Sequence, residues 1–368
     1  GSLGWCRVII GALVGAMSSQ NMPRSFELIA QTLSTEPHED ARATYSEVLT
    51  IIIIATIASL PGSFLQTLLA KLAANTARAE VHNPLVRRYL HSARSFLAMM
   101  REPRPWTCIQ ESLRTSAMCR QAGDPLIDVP ARIIGSEWGW FEVGDFEGVE
   151  QRLRAHGAEI ASCQSIVNVV HFRHLLARVL CERPDEGSWT EAEALILSIR
   201  QTEGGHSLYP VLARNVLARI AFLRGQFEEA ETLSRTLMQG FPADAVWLMN
   251  AASIQMRALL ALGRPAEATQ VAELVLGSFP LLGGSGVTEV EVRLAASEAF
   301  HHAGDTERAR MELGETLRQI QLRADDISDP FWKNSYLTRN PSCVRAQALA
   351  QEWGLGVGNL FQPAAGSI

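Results

Sequence analysis

Paired cysteine spacings are missing from this chain. Its six cysteines, Cys6, Cys108, Cys119, Cys163, Cys181 and Cys343, form no CxxC pair and sit mostly in apolar, helix-like surroundings. A structural zinc site needs paired ligands, and a secreted disulfide scaffold needs a dense cysteine framework in a short chain. Neither pattern is visible, so the cysteines read as small buried hydrophobes in a reducing, cytoplasmic compartment. Long apolar runs are missing as well. Val48 to Leu60 spans 13 residues, includes Thr50, Thr56 and Ser59, and stops at Pro61-Gly62. A bilayer needs roughly 17–25 residues, so this run predicts a buried helix and no transmembrane segment. Leu3 to Met17 is of similar length and carries Arg7; neither stretch has the basic leader or cleavage site of a signal peptide.

Basic charge is also short. Thirty-three Lys and Arg face 39 Asp and Glu, a formal charge of −6, which argues against nucleic acid as a partner. Catalytic signatures are absent: there is no nucleophile elbow, no HExxH, no Gly-rich loop before a strand lysine, no His-Arg-Asp loop and no Asp-Phe-Gly. Gly144-Asp145-Phe146-Glu147 only approaches the last of these. His171 and His174 stand one helical turn apart, and His301-His302 end a predicted helix. No acidic or cysteine partner accompanies either pair in sequence, so no metal and no cofactor are predicted. The chain opens on Gly1-Ser2 without methionine, the pattern of an excised fragment, and predicts further domains upstream.

What the chain has is Ala, Leu, Arg, Glu and Gln in helical patterns, broken at regular intervals by a glycine corner. Corners occur at Gly144, Gly187, Gly225, Gly263 and Gly304, spaced 43, 38, 38 and 41 residues apart. Glycine ends a helix at positive φ without a Cβ clash. Acidic residues such as Glu228, Glu229, Glu267 and Glu307 then fall in the next helix's first turn, where the macrodipole favours them. Five residues beyond each glycine stands a compact side chain: Val149, Ala192, Ala230, Ala268 and Ala309. Two residues beyond, Phe146, Trp189 and Phe227 can fill the wedge between helices, with Pro265 and Thr306 as departures. This predicts an all-α fold, a right-handed solenoid of antiparallel helical hairpins with a period of about 38–43 residues. Helices are expected near 3–17, 22–33, 39–60, 63–79, 84–100, 106–121, 126–143, 146–160 and 164–181. Longer spacers are expected at Gln201–Gly205 and at Gly277–Gly286, the second as a mobile loop. Arg101-Glu102-Pro103-Arg104-Pro105 is the best internal boundary. Residues 1–105 form an N-terminal helical region or cap, 106–325 the repeat array, 326–353 closing helices, and 354–368 a flexible tail.

Gly-x-aromatic-x-x-Ala at such corners resembles the tetratricopeptide repeat. The tail adds an ordered set: the helix Glu291 to Phe300, the corner Ala303-Gly304-Asp305, Asp329-Pro330, Tyr336-Leu337, the turn Asn340-Pro341 and a last helix from Arg345 to Trp353. This order is similar to the C-terminal region of large bacterial signalling proteins, in which a serine/threonine kinase domain and an AAA-type ATPase module precede a tetratricopeptide-like array. The resemblance spans about Trp106 to Trp353 and implies a regulatory segment without kinase activity of its own.

In tetratricopeptide arrays the first helix of each pair lines the concave groove. Stepping back from a corner glycine by 3, 6, 10 and 13 residues follows one face of that helix. At Gly144 the face includes Trp138 and Phe141; at Gly225, Asn215, Arg219 and Phe222. At Gly263 it includes Asn250, Ser253 and Arg257; at Gly304, Glu291, Glu298 and His301. The mixture predicts a non-catalytic scaffold or regulatory region that binds a protein or peptide, other domains of the same polypeptide included. The alternative is a small-molecule sensor region relaying to an upstream ATPase or kinase.

Overall fold

A computed structural model describes residues 1–18, 21–57, 60–162, 166–200, 208–240 and 248–356. The N-terminal third contains α1 (Leu3–Ser18), α2 (Met22–Ser34), α3 (Arg42–Thr56), α4 (Gly62–Ala79) and α5 (Arg87–Met100). Then come α6 (Pro105–Ala122), α7 (Pro125–Pro130) and α8 (Trp138–Glu142), the last two joined by a π-helical turn over Ala131–Glu137. The array continues with α9 (Phe146–Ser162), α10 (Ile166–Leu180), α11 (Glu186–Arg200), α12 (Leu208–Leu223), α13 (Phe227–Gly240), α14 (Leu248–Ala261), α15 (Pro265–Leu282) and α16 (Glu289–His302), with glycine corners after α8, α12, α14 and α16. The chain closes with α17 (Thr306–Asp326), α18 (Pro330–Arg339) and α19 (Pro341–Glu352). Among the described residues no strand forms. The fold is the expected all-α, tetratricopeptide-like solenoid.

The corners are built as the residues require. Gly144, Gly225, Gly263 and Gly304 have φ of 87°, 74°, 70° and 89°. The compact residues that follow, Val149, Ala230, Ala268 and Ala309, have no exposed surface. The wedge aromatics pair across two of the corners: Phe141 with Phe146 at 5.3 Å and Phe222 with Phe227 at 5.5 Å between ring centroids. Three helix starts in the C-terminal part carry an Asx cap. Asp305 accepts from the Arg308 amide, Asp329 from those of Phe331 and Trp332, and Asn340 from those of Ser342 and Cys343.

Three expectations are corrected. Gly187 is no corner. It lies in the first turn of α11, and the connection from α10 turns instead through residues 181–185. The loop expected over Gly277–Gly286 is helical as far as Leu282, with Pro280 inside α15; only Gly283 to Ser285 and a 3₁₀ turn at Gly286–Thr288 follow. This short turn is tied down, because Arg101 donates to the carbonyls of Leu282 and Gly284, as well as to those of Ile57 and Leu60. The helix expected over 126–143 is interrupted by the π turn. Pro130 lacks the N–H that would continue the i→i−4 ladder, and a Cβ at Gly135 would strike the Ser112 and Ser95 hydroxyls. The spacer Gln201–Gly205 lies outside the described residues, as does most of the 354–368 tail.

The core is continuous across residues 101–105: α5 and α6 pack on each other, and one buried cluster runs from Cys6 to Ala309. Ile52 and Ile53 are fully buried, while Ala55 of the same helix is exposed. No helix is long and apolar enough to cross a membrane among the described residues. The ends of the array also meet. Asp326 at the end of α17 accepts hydrogen bonds from the Trp106 and Thr107 amides at 2.8 and 2.9 Å and from the Thr107 hydroxyl at 2.6 Å, capping α6 from 220 residues away. Asn340 donates to the Glu142 carbonyl at 3.1 Å, and Arg339 pairs with Glu147. The array therefore curls until α17 to α19 stand against α6 to α9.

Candidate functional site

That closure leaves a cavity of about 420 Å³, walled by α8, α10, α12, α14 and α16 and shut at one side by α17 and α19. Its polar wall is a set of guanidinium and carboxylate groups contributed by successive inner helices. Arg219 on α12 reaches Glu182 at 2.7 Å and Glu291 on α16 at 3.2 Å. Arg257 on α14 lies 3.5 Å from Glu291 and 4.0 Å from Glu298, and Arg345 on α19 holds Glu298 at 2.7 Å. Arg323 on α17, 2% exposed, donates to the Gly286 carbonyl at 2.6 Å and stands 4.0 Å from Glu142.

The fifth arginine differs. Arg178 on α10 makes no hydrogen bond and no ion pair among the described residues; its Nε is buried without a partner, as are those of Arg219 and Arg323. Its guanidinium lies 5.7 Å from the centroid of the Phe141 ring. The lining thus counts five arginines against four glutamates, an excess of positive charge inside an acidic chain.

The charge states follow from these contacts. Burial works against ionisation of Glu291, but Arg219, Arg257 and Arg178 outweigh it and hold the carboxyl at about 2. Burial pushes Glu142 up to about 7, because Arg323 and Arg178 only partly offset it. Burial and the neighbouring Arg219 lower the Arg178 guanidinium. For Arg219, burial is outweighed by Glu182 and Glu291, which raise it.

A second, smaller pocket of about 60 Å³ adjoins the first, sharing Val287 with it. Met99, Met100, Trp138, His174 and Leu212 contribute to its walls. Trp138 lies 5.6 Å from both Phe141 and His174 by ring centroids, so an aromatic strip joins the two spaces. Burial, then His171 and Arg178, lower the His174 pKa well below its ordinary value, and its ring is neutral.

The predicted face divides between these spaces. Phe141, Arg219, Phe222, Arg257, Glu291 and Glu298 line the larger cavity, and Trp138, Asn215 and Asn250 line the smaller one. Ser253 and His301 line neither. Ser253 is fully buried, its hydroxyl turned onto the Asn250 carbonyl at 2.9 Å. His301 stacks on Trp353 at 4.5 Å, and its neighbour His302 takes the place on the cavity wall.

Glu142, Arg178, Glu182, Arg323 and Arg345 were not found by stepping back from glycines. Arg178 escaped because α10 ends without a positive-φ glycine, so its inner face had no reference point. His171 and His174 marked that face: at 9% and 6% exposure they are buried, not on a solvated helix surface. Among the described residues no group of three or more His, Cys, Asp or Glu is placed to hold a metal.

No protein-family model matches the chain, and no curated protein does. Solved structures share its fold over nearly the whole length. One is a Rap protein complexed with competence and sporulation factor (TM-score 0.63, 13% identity, covering 96% of each chain). NprR in complex with its cognate peptide NprX gives 0.54 and 13%, covering 95% of this chain and 98% of that one. The apo form of the quorum sensor NprR from B. thuringiensis gives 0.51 and 14%, again over 95% and 98%. At these identities the likeness is one of fold. It takes in the N-terminal helices along with the array, and the kinase and ATPase context implied by the tail is not part of it.

Proposed function

We propose that the chain is a non-catalytic regulatory module that binds a short peptide in the cavity on its concave face. The observation that carries this reading is the half-open, mixed-polarity cavity whose walls come from five inner helices. A ligand there touches every repeat at once and can bias the curvature of the whole array. Two structures of this fold support the reading, one described as a complex with a cognate peptide and one as a complex with competence and sporulation factor. The residues proposed to contact the ligand are Phe141, Arg178, Phe222 and Arg257, with Glu142 and Glu298 at the C-terminal side; Arg219 and Glu291 hold the wall itself.

In this proposal residues 1–105 brace the array, 106–325 form the sensing part and 326–353 the closing element. The resemblance of the tail adds a context in which occupancy is relayed to kinase or ATPase domains of the same polypeptide, or to a separate protein partner, in a bacterial cytoplasm. Buried free thiols at Cys6, Cys108, Cys119, Cys181 and Cys343 agree with a reducing compartment. A compact anionic metabolite is the second reading, favoured by the excess of arginine in the lining. Isothermal titration of peptide pools and of anionic metabolites separates the two. Saturable binding of a peptide supports the proposal, and binding of metabolites alone replaces it with the second reading.

A further inference from the structure

The cavity wall is balanced except at one point. Arg219, Arg257, Arg323 and Arg345 each have a carboxylate within 4.0 Å, whereas Arg178 has none among the described residues. The Glu291 and Glu182 carboxylates meet its charge only from beyond ion-pair distance, so no anion sits against the guanidinium itself. A position of this kind is explained when the missing anion arrives with the ligand.

The surroundings of Arg178 say more about that ligand. One helical turn earlier on α10, about 6 Å along the axis, His174 forms the wall of the smaller, mainly apolar pocket with Trp138, Met99 and Leu212. Its volume of about 60 Å³ is on the scale of two water molecules' share of the liquid, roughly 30 Å³ each, enough for the end of a branched aliphatic or similar side chain. The imidazole is neutral there, so nothing in the pocket demands a charged group. Phe141 and Trp138 carry an apolar surface from one space to the other.

Resting on the peptide reading above, the geometry points to a peptide with a free C-terminal carboxylate and an apolar last residue: the carboxylate pairs with Arg178, and the last side chain enters the pocket over Trp138 and His174. In a terminal residue both groups branch from one Cα, and with bonds of about 1.5 Å their ends lie about 5–6 Å apart. The rise along α10 between His174 and Arg178, one helical turn, is of the same order. A carboxylate further back in a peptide has no such fixed relation to a neighbouring side chain.

The test uses the full chain and pools of pentapeptides randomised at the first four positions, with the fifth fixed as Leu, Phe, Ser or Gly. Each pool is made as the free acid and as the C-terminal amide, and binding is read by thermal shift and by titration. The Leu or Phe free-acid pools are expected to shift the melting temperature saturably. Their amides are expected to bind at least about tenfold more weakly, the loss typical of a missing charge-assisted pair. In Arg178→Gln the acid and amide pools become equivalent, and Arg178→Lys keeps part of the difference. Equal binding of acid and amide pools to the unaltered chain overturns the carboxylate assignment while leaving the peptide reading intact. Equal binding of Leu-ended and Gly-ended acids overturns the side-chain pocket. No shift with any pool overturns the peptide reading, and this inference with it.

Discussion

Arg219 of α12 and Glu291 of α16 stand 3.2 Å apart although a whole helical hairpin lies between their pairs in the chain. The same guanidinium reaches back to Glu182, beyond α10, at 2.7 Å. One arginine thus ties three repeats across the concave face and helps to fix how tightly the array curls. Removing it leaves two buried carboxylates short of a counter-charge. Arg219→Ala is expected to lower stability by about 3–5 kcal/mol, as measured by urea denaturation, because a broken buried pair strands its partner. A change under about 1 kcal/mol would show that the pairing contributes little to the fold.

Arg178 carries a weaker expectation. Its guanidinium makes no ion pair and only helps Arg219 and Arg257 to hold Glu291 ionised, so Arg178→Gln should cost no more than about 1 kcal/mol, clearly less than Arg219→Ala. Urea midpoints of the two variants side by side give the contrast. A large loss in Arg178→Gln would mean that the fold itself depends on this cation.

The pH dependence comes chiefly from Glu142. Its carboxyl titrates near 7 in the fold, against 4.5 as the ordinary value, because burial disfavours the charge. Between those values the folded chain holds a proton that the unfolded chain has released, so stability falls as pH rises from 4.5 through 7. The groups that face it are Arg323, Arg178, Glu291 and Glu182. Glu142→Gln is expected to remove up to about 3 kcal/mol of the difference in stability between pH 5 and pH 8. Glu137, raised to about 7 by burial in spite of Arg152, and Glu47, raised by burial, add to the same slope, while His174, lowered well below its ordinary value by burial, opposes it on the acid side. An unchanged slope in Glu142→Gln would assign the effect to these other groups.

Two glycines separate conformation from collision. Gly225 has φ 74° and open space where a Cβ would stand, so Gly225→Ala should cost only the left-handed strain, about 1–2 kcal/mol. Gly286 has φ 54°, and a Cβ there would overlap the backbone of Met99 and Met100. Gly286→Ala should therefore cost clearly more than Gly225→Ala in the same denaturation assay. Equal costs would mean that the Gly283–Thr288 turn yields freely.

Much of the architecture could be read from residues because it depends on local chemistry. Gly144, Gly225, Gly263 and Gly304 end helices for a reason that needs no tertiary information, and the buried small residues five positions on follow from close helix approach. Gly187 misled because a glycine in a first turn and one after a last turn look alike in sequence. The turn at Gly283 was overestimated for a similar reason. Gly277 and Pro280 are breakers by propensity, yet α15 continues through both to Leu282, and Arg101 anchors the residues that follow from 181 positions away.

The site was legible by face but not by partner. A one-face step along α12 brings up Arg219 and Phe222, but nothing local marks Arg219 as a structural tie and Arg178 as an unpaired cation. That difference depends on α16 and α17 folding back across the groove, which no spacing within α10 or α12 encodes.

The central claim is that a peptide occupies the concave cavity. It is tested most directly by cross-linking with a pentapeptide pool that carries a benzophenone group, followed by mass-spectrometric mapping of the labelled residues. Saturable labelling on the inner helices around Phe141, Arg178, Phe222 and Arg257, competed by unlabelled pool, is the predicted result. Labelling confined to the outer helices α9, α11, α13 and α15, or labelling that never saturates, would contradict it.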